Sequence, residues 1–93
     1  MSKTHMPWLQ FTKRRVYAAG ERYSSGDGLS VMTQDRAVAE GLFARANDFA
    51  DGRTYAVEVR EMATDEVLMR SGPSMAEADR SMWAAVRASR SAS

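Results

Sequence analysis

The chain contains no cysteine, which excludes disulfides, thiolate metal sites, iron-sulfur clusters and cysteine nucleophiles. Histidine is nearly as scarce. His5 is the only one; it precedes Pro7 in a stretch with no neighbour to orient it, whereas a general base must be held beside its substrate. A structural zinc site therefore lacks a ligand set, and no cofactor is expected. Long apolar runs are also missing: nothing approaches the ~18 residues of a membrane span, and residues 1–7 have no apolar signal core. A soluble, cytoplasmic protein without membrane contact is expected. Lysine is confined to Lys3 and Lys13, so eleven of the thirteen cationic residues are arginine. Arginine suits bidentate and stacked contacts, although a GC-rich genome produces the same bias.

What is present fits one small domain. Ninety-three residues support a single core, and a hydrophobic share of 44% is enough to fold one. The net charge is only +1, but it is unevenly spread. Residues 1–30 hold five cations against two acids, residues 31–72 five against eight, and residues 73–93 three against two. The expected organisation is a flexible stretch at 1–7, a domain over 8–89 and a flexible tail at 90–93.

Trp8-Leu9-Gln10-Phe11 and Val16-Tyr17-Ala18-Ala19 read as extended, separated by Lys13-Arg14-Arg15. A single regular strand would carry Lys13 and Arg15 on the same side as Leu9, Phe11 and Tyr17, which predicts a bend, a bulge or an edge position. A short strand follows at 29–32. Thr33 is placed to cap a helix over 34–50, with Asp35 in its first turn. Val38, Leu42, Ala46 and Phe49 would form its buried stripe, flanked by Ala39 and Phe43, with Gly52 ending it in the left-handed region. From Thr54 the period changes to two, with Tyr55, Val57 and Val59 opposite Ala56, Glu58 and Arg60, as in a half-buried strand.

A turn within 63–66 leads to a return strand at 67–71. An odd-numbered connection would set Val59 beside Met69 and Glu58 near Arg70, whereas a two-residue turn would oppose Val59 to Arg70. Ser74 and Glu77 form a capping box after Gly72-Pro73. Met75, Ala78, Met82, Ala85 and Val86 make the buried stripe of the second helix, which should fray over 88–93. At an offset of 40, Leu42-Phe43-Ala44 falls on Met82-Trp83-Ala84, a short match compatible with a duplicated ββα plan. The expected fold is α+β: one antiparallel sheet of three or four strands with two helices on one face, in the order β(β)αββα.

Candidate contact residues divide into two groups. Trp83 lies about 60° beyond Val86 on the helical wheel, among Arg80, Arg87 and Arg90, and should be partly exposed. Tryptophan and arginine dominate many protein interfaces, and Arg80 and Arg87 are spaced to lie over the ring; the same residues would equally cover the rim of a core. The second group is Lys13, Arg14, Arg15 and Arg22 with Tyr17 and Tyr23, whose cations and rings suit phosphates and unstacked bases. The small net charge weighs against it.

Ser24-Ser25-Gly26-Asp27-Gly28 lacks the spacing of a phosphate-binding loop and reads as a connector. Glu58, Glu61, Asp65 and Glu66 match no calcium loop and read as a solvated hairpin tip. Met32, Met62, Met69, Met75 and Met82 read as core fillers, though methionine also suits adaptable contact surfaces.

These features predict a non-enzymatic protein-binding module, such as a small inhibitor or accessory protein of the kind carried by phages and mobile elements, acting by occluding a larger partner. A nucleic-acid-binding domain using the basic N-terminal segment is the first alternative and a small enzyme or enzyme subunit the second. Self-association is a further expectation, through an exposed edge strand between Phe11 and Tyr17.

Overall fold

The computed structural model describes residues 6–25, 28–46 and 52–91. The elements are β1 (Leu9–Val16), β2 (Gly28–Thr33), α1 (Arg36–Ala46), β3 (Thr54–Glu61), β4 (Glu66–Ser71) and α2 (Met75–Ser91). The four strands form one antiparallel sheet in the order β2-β1-β3-β4. This is the α+β class expected, with the chain running through a hairpin and a helix twice.

The first strand differs from expectation. β1 is unbroken, shows no register shift and lies between β2 and β3, so it is a central strand and neither bent nor at an edge. The cations on its apolar side are accommodated individually. The Lys13 ammonium lies 4.2 Å from the centre of the Tyr55 ring. Arg15 is buried, pairs with Glu21 and lies 4.7 Å from the Tyr17 ring centre. Ring faces and a carboxylate supply the compensation that a buried cation otherwise lacks.

Leu9 and Phe11 of β1, Tyr55, Val57 and Val59 of β3, and Ala39 and Ala46 of α1 form the main core cluster. Val31, Leu42, Phe43, Leu68 and Met69 pack against it. α1 covers this side of the sheet. It starts later than predicted because Asp35, and not Thr33, caps it: the Asp35 carboxylate accepts the Ala37 N–H at 3.0 Å, while Thr33 accepts the N–H of Asp35. The buried stripe runs through Ala39, Leu42, Phe43 and Ala46, and Val38, expected in it, is exposed. The predicted continuation through Phe49 to residue 50 lies outside the described residues. Gly52 has the expected left-handed backbone, with φ 73°.

β3 is buried on both sides over Tyr55 to Val59, including Ala56 and Glu58, and is not the half-buried strand predicted. Both helices contact β3, and cover on each face, more than its place in the strand order, accounts for this. The β3–β4 register sets Glu58 opposite Arg70 and Val59 opposite Met69, as the odd connection required. The device is less direct than a single odd loop. Glu61 pairs with Glu66 across residues 62–65, and a bulge between Val59 and Arg60 restores the parity. The bulge lets the neighbours Leu68 and Met69 both pack on the core.

α2 does not share the face that α1 covers, where both helices were expected. None of its residues belongs to the main core cluster, and its ion-pair partner in the sheet is Arg14, whose parity is opposite to that of Leu9 and Phe11. α2 therefore serves the side of the sheet carrying Arg14 and Ala56, crossing β1 and β3. It also continues to Ser91, through much of the stretch expected to fray.

Candidate protein-binding surface

Several sequence features lock α2 onto the sheet. Gly72 takes φ 74°, and a Cβ there would stand 2.2 Å from the Tyr55 carbonyl oxygen, so only glycine lets the chain pass β3 and enter the helix. The Ser74 hydroxyl then accepts the Glu77 N–H at 3.1 Å, satisfying one of the first-turn donors. Ala78 and Ala85 are buried, with Met75, Met82 and Val86 partly so, which is the stripe predicted. Ser81 accepts the Tyr17 N–H at 3.0 Å and donates to the Ala78 carbonyl at 2.8 Å. Farther along, the Tyr23 N–H is shared between the Ala85 carbonyl at 3.3 Å and the Ser89 hydroxyl at 3.0 Å. Arg14 meets Asp79 at 3.4 Å and the Met82 sulfur at 3.3 Å.

Trp83 stands off this anchored side and is 51% exposed. Arg80, Arg87 and Arg90 are exposed on the same helix. The cation–ring contacts of the described residues include Lys13 on Tyr55 and Arg15 on Tyr17. The indole is thus presented on a helix held by a cap, an ion pair and two serine hydroxyls, with cationic side chains around it.

The basic N-terminal group is dispersed by the fold. Lys13 and Arg15 project to one side of β1 and Arg14 to the other, each with an internal contact. Tyr17 is buried and its hydroxyl donates to the Ser24 carbonyl at 2.9 Å. Arg22 and Tyr23 are exposed. The hollow lined by Arg14, Arg15, Tyr17, Tyr23, Ser24, Gly28 and Met82 has a volume of 120 Å³, well below the roughly 300 Å³ at which small-molecule clefts begin.

Two of the four acids of the hairpin, Glu58 and Asp65, are used locally. Arg60 donates to Glu58 at 2.9 Å and to Asp65 at 2.8 Å. Hydrogen bonds to Asp65 and Glu58 raise the Arg60 guanidinium above its ordinary pKa. A raised pKa makes the stabilisation complete below the unfolded value and lost only above the folded one, so Arg60 stays cationic through neutral and acid pH. Among the described residues no group of three His, Cys, Asp or Glu side chains is placed to hold a metal ion, and no helix is long and apolar enough to cross a membrane. His5, Lys3, Gly26 and Asp27 lie outside the described residues.

A second apolar surface escaped the sequence reading. Met6, Pro7, Trp8, Gln34, Glu61, Met62 and Ala63 line an open groove at the Leu9 end of β1. Trp8 is 49% exposed, and Met6 and Met62 are exposed beside it. Two bonds assemble it: Met62 N–H to the Trp8 carbonyl and Gln34 Nε2 to the Met6 carbonyl, both 2.9 Å. Met6-Pro7-Trp8 was visible as an apolar triplet; that the 62–65 turn folds back beside it was not. Met62 is therefore not the core filler expected, and Met32 is exposed too.

No protein-family model, curated protein or solved structure matches the chain.

Proposed function

We propose that this domain is a non-enzymatic protein-binding module whose contact surface centres on Trp83, with Arg80, Arg87 and Arg90 around it. The observation that carries the reading is the half-exposed indole on a helix fixed away from it at Ser74, Ser81 and Ser89, and one turn before it by the Asp79–Arg14 ion pair. A rigid aromatic flanked by guanidinium groups loses little entropy on docking and supplies the residue types that dominate binding energy. Such a domain acts by occluding a larger partner, as small inhibitors and accessory proteins of phages and mobile elements do. Binding of nucleic acid receives less support, because Lys13, Arg14 and Arg15 are all engaged internally.

The test is capture of a partner from host lysate by wild-type, Trp83→Ala and Trp8→Ala domains, with and without nuclease. Circular dichroism serves as the folding control. Loss of one nuclease-insensitive partner with Trp83→Ala alone is the expected result. Capture unchanged in a folded Trp83→Ala domain would overturn the proposed site, and loss on nuclease treatment would favour nucleic acid.

A further inference from the structure

The two edges of the sheet differ in a way that points to a second copy of the chain. β4, at one edge, carries Glu66 and Arg70 and is interrupted by the bulge opposite Val59 and Arg60. Charge and bulges are the devices by which edge strands avoid pairing with other chains. β2, at the other edge, reads Gly28-Leu29-Ser30-Val31-Met32-Thr33. It has no charge, no proline and no register shift against β1. Leu29 and Met32, with opposite parity, are both about half exposed, at 50% and 52%. Six uninterrupted uncharged residues leave a row of outward N–H and C=O groups with nothing to discourage a partner strand.

We propose that β2 pairs antiparallel with β2 of a second copy, forming a two-fold dimer with a continuous sheet of eight strands, four from each copy. An axis perpendicular to the sheet keeps each face on its own side, so opposed residues must share parity. Centred on Val31, such an axis sets Leu29 against Thr33 and Ser30 against Met32 of the second copy, with no charges opposed. The remaining edges are then the two β4 strands, which already carry the charge and the bulge that an exposed edge needs. Pairing in this way closes the assembly at two copies. It also moves the expected self-association from β1, both of whose edges are occupied, to β2.

Sedimentation equilibrium over a concentration series into the millimolar range tests this directly. The wild-type chain is expected to dimerise, and the Leu29→Lys/Met32→Lys double variant to weaken dimerisation by on the order of 10-fold, because the two copies' residue-32 ammonium groups then lie diagonally across the axis and lysines on an edge strand oppose strand pairing. Amide exchange in the wild type should slow at β2 as the dimer fills. Trp83→Ala should dimerise as the wild type does. A wild-type chain that remains monomeric throughout the series overturns the proposal. So does a folded double-lysine variant that dimerises with unchanged affinity, or concentration-dependent protection that spares β2. Should the double variant fail to fold, the wild-type exchange series still decides.

Discussion

Arg15 and Glu21 illustrate how a single pair changes the reading of a segment. Arg15 is buried, while Glu21 accepts both from it and from the Ala18 N–H at 2.8 Å. Glu21→Ala should cost about 2–3 kcal/mol, less than the ~3–5 of a fully buried pair because Glu21 is partly exposed. By contrast, Glu40→Ala removes an exposed pair with Arg36 at 3.1 Å and should change stability by less than about 0.5 kcal/mol. Urea unfolding of both variants measures the difference. Gly72 makes the same argument for backbone. Gly72→Ala places a methyl group 2.2 Å from the Tyr55 oxygen at φ 74°, so its cost should exceed the ~1–3 kcal/mol of left-handed strain alone. At Gly20, with φ 80° and open space, the same substitution should cost only that strain. Gly72-Pro73 was legible as a helix boundary, but the carbonyl approaching it was not, because nothing in the local pattern says which strand passes beneath.

Among the elements, the helices were the most legible in kind and the least in rotation. Ser74 caps α2 where predicted, and Ser74→Ala should cost about 1 kcal/mol. Asp35→Ala should cost a similar ~1 kcal/mol, since Asp35 holds the Ala37 N–H at the start of α1; thermal melts of the two variants provide the check. The alternation of Tyr55, Val57 and Val59 located β3, yet periodicity could not reveal that Ala56 and Glu58 are buried as well. That depends on what covers the second side. The hairpin shows the same division: parity favoured Val59 beside Met69, and the fold met it with the 62–65 turn plus a bulge. α2 is tied to the segment after β1 by Ser81 and Ser89. Ser81→Ala should therefore speed exchange of the Tyr17 amide while leaving β3 amides protected, as NMR exchange would report.

For the molecule as a whole, stability and binding should separate. Phe11 is 1% exposed at the centre of the main cluster. Phe11→Ala should cost about 3–5 kcal/mol, a large share of the ~5–15 available to a domain, and calorimetry should show a much lower melting temperature. Trp83→Ala should leave the melting temperature nearly unchanged and abolish partner capture. If nucleic acid were the partner, affinity would fall steeply with salt and with Arg22→Ala, the cation of the basic segment that is exposed on the surface.

By itself, the sequence determined the α+β class, the chain order of strands and helices, the α2 cap, the parity of the β3–β4 hairpin and the exposure of Trp83. All of these follow from local periodicity, capping chemistry or the helical wheel, which operate over a few residues. Only the tertiary structure decided that β1 is central, that Lys13 and Arg15 find Tyr55, Tyr17 and Glu21, that Met6, Trp8 and Met62 share a groove, and that β2 and β4 are the sheet's edges. Each of these depends on which strands lie side by side. Strand order is settled by packing the whole chain, because the same alternating pattern satisfies a central and an edge position until its neighbours are in place.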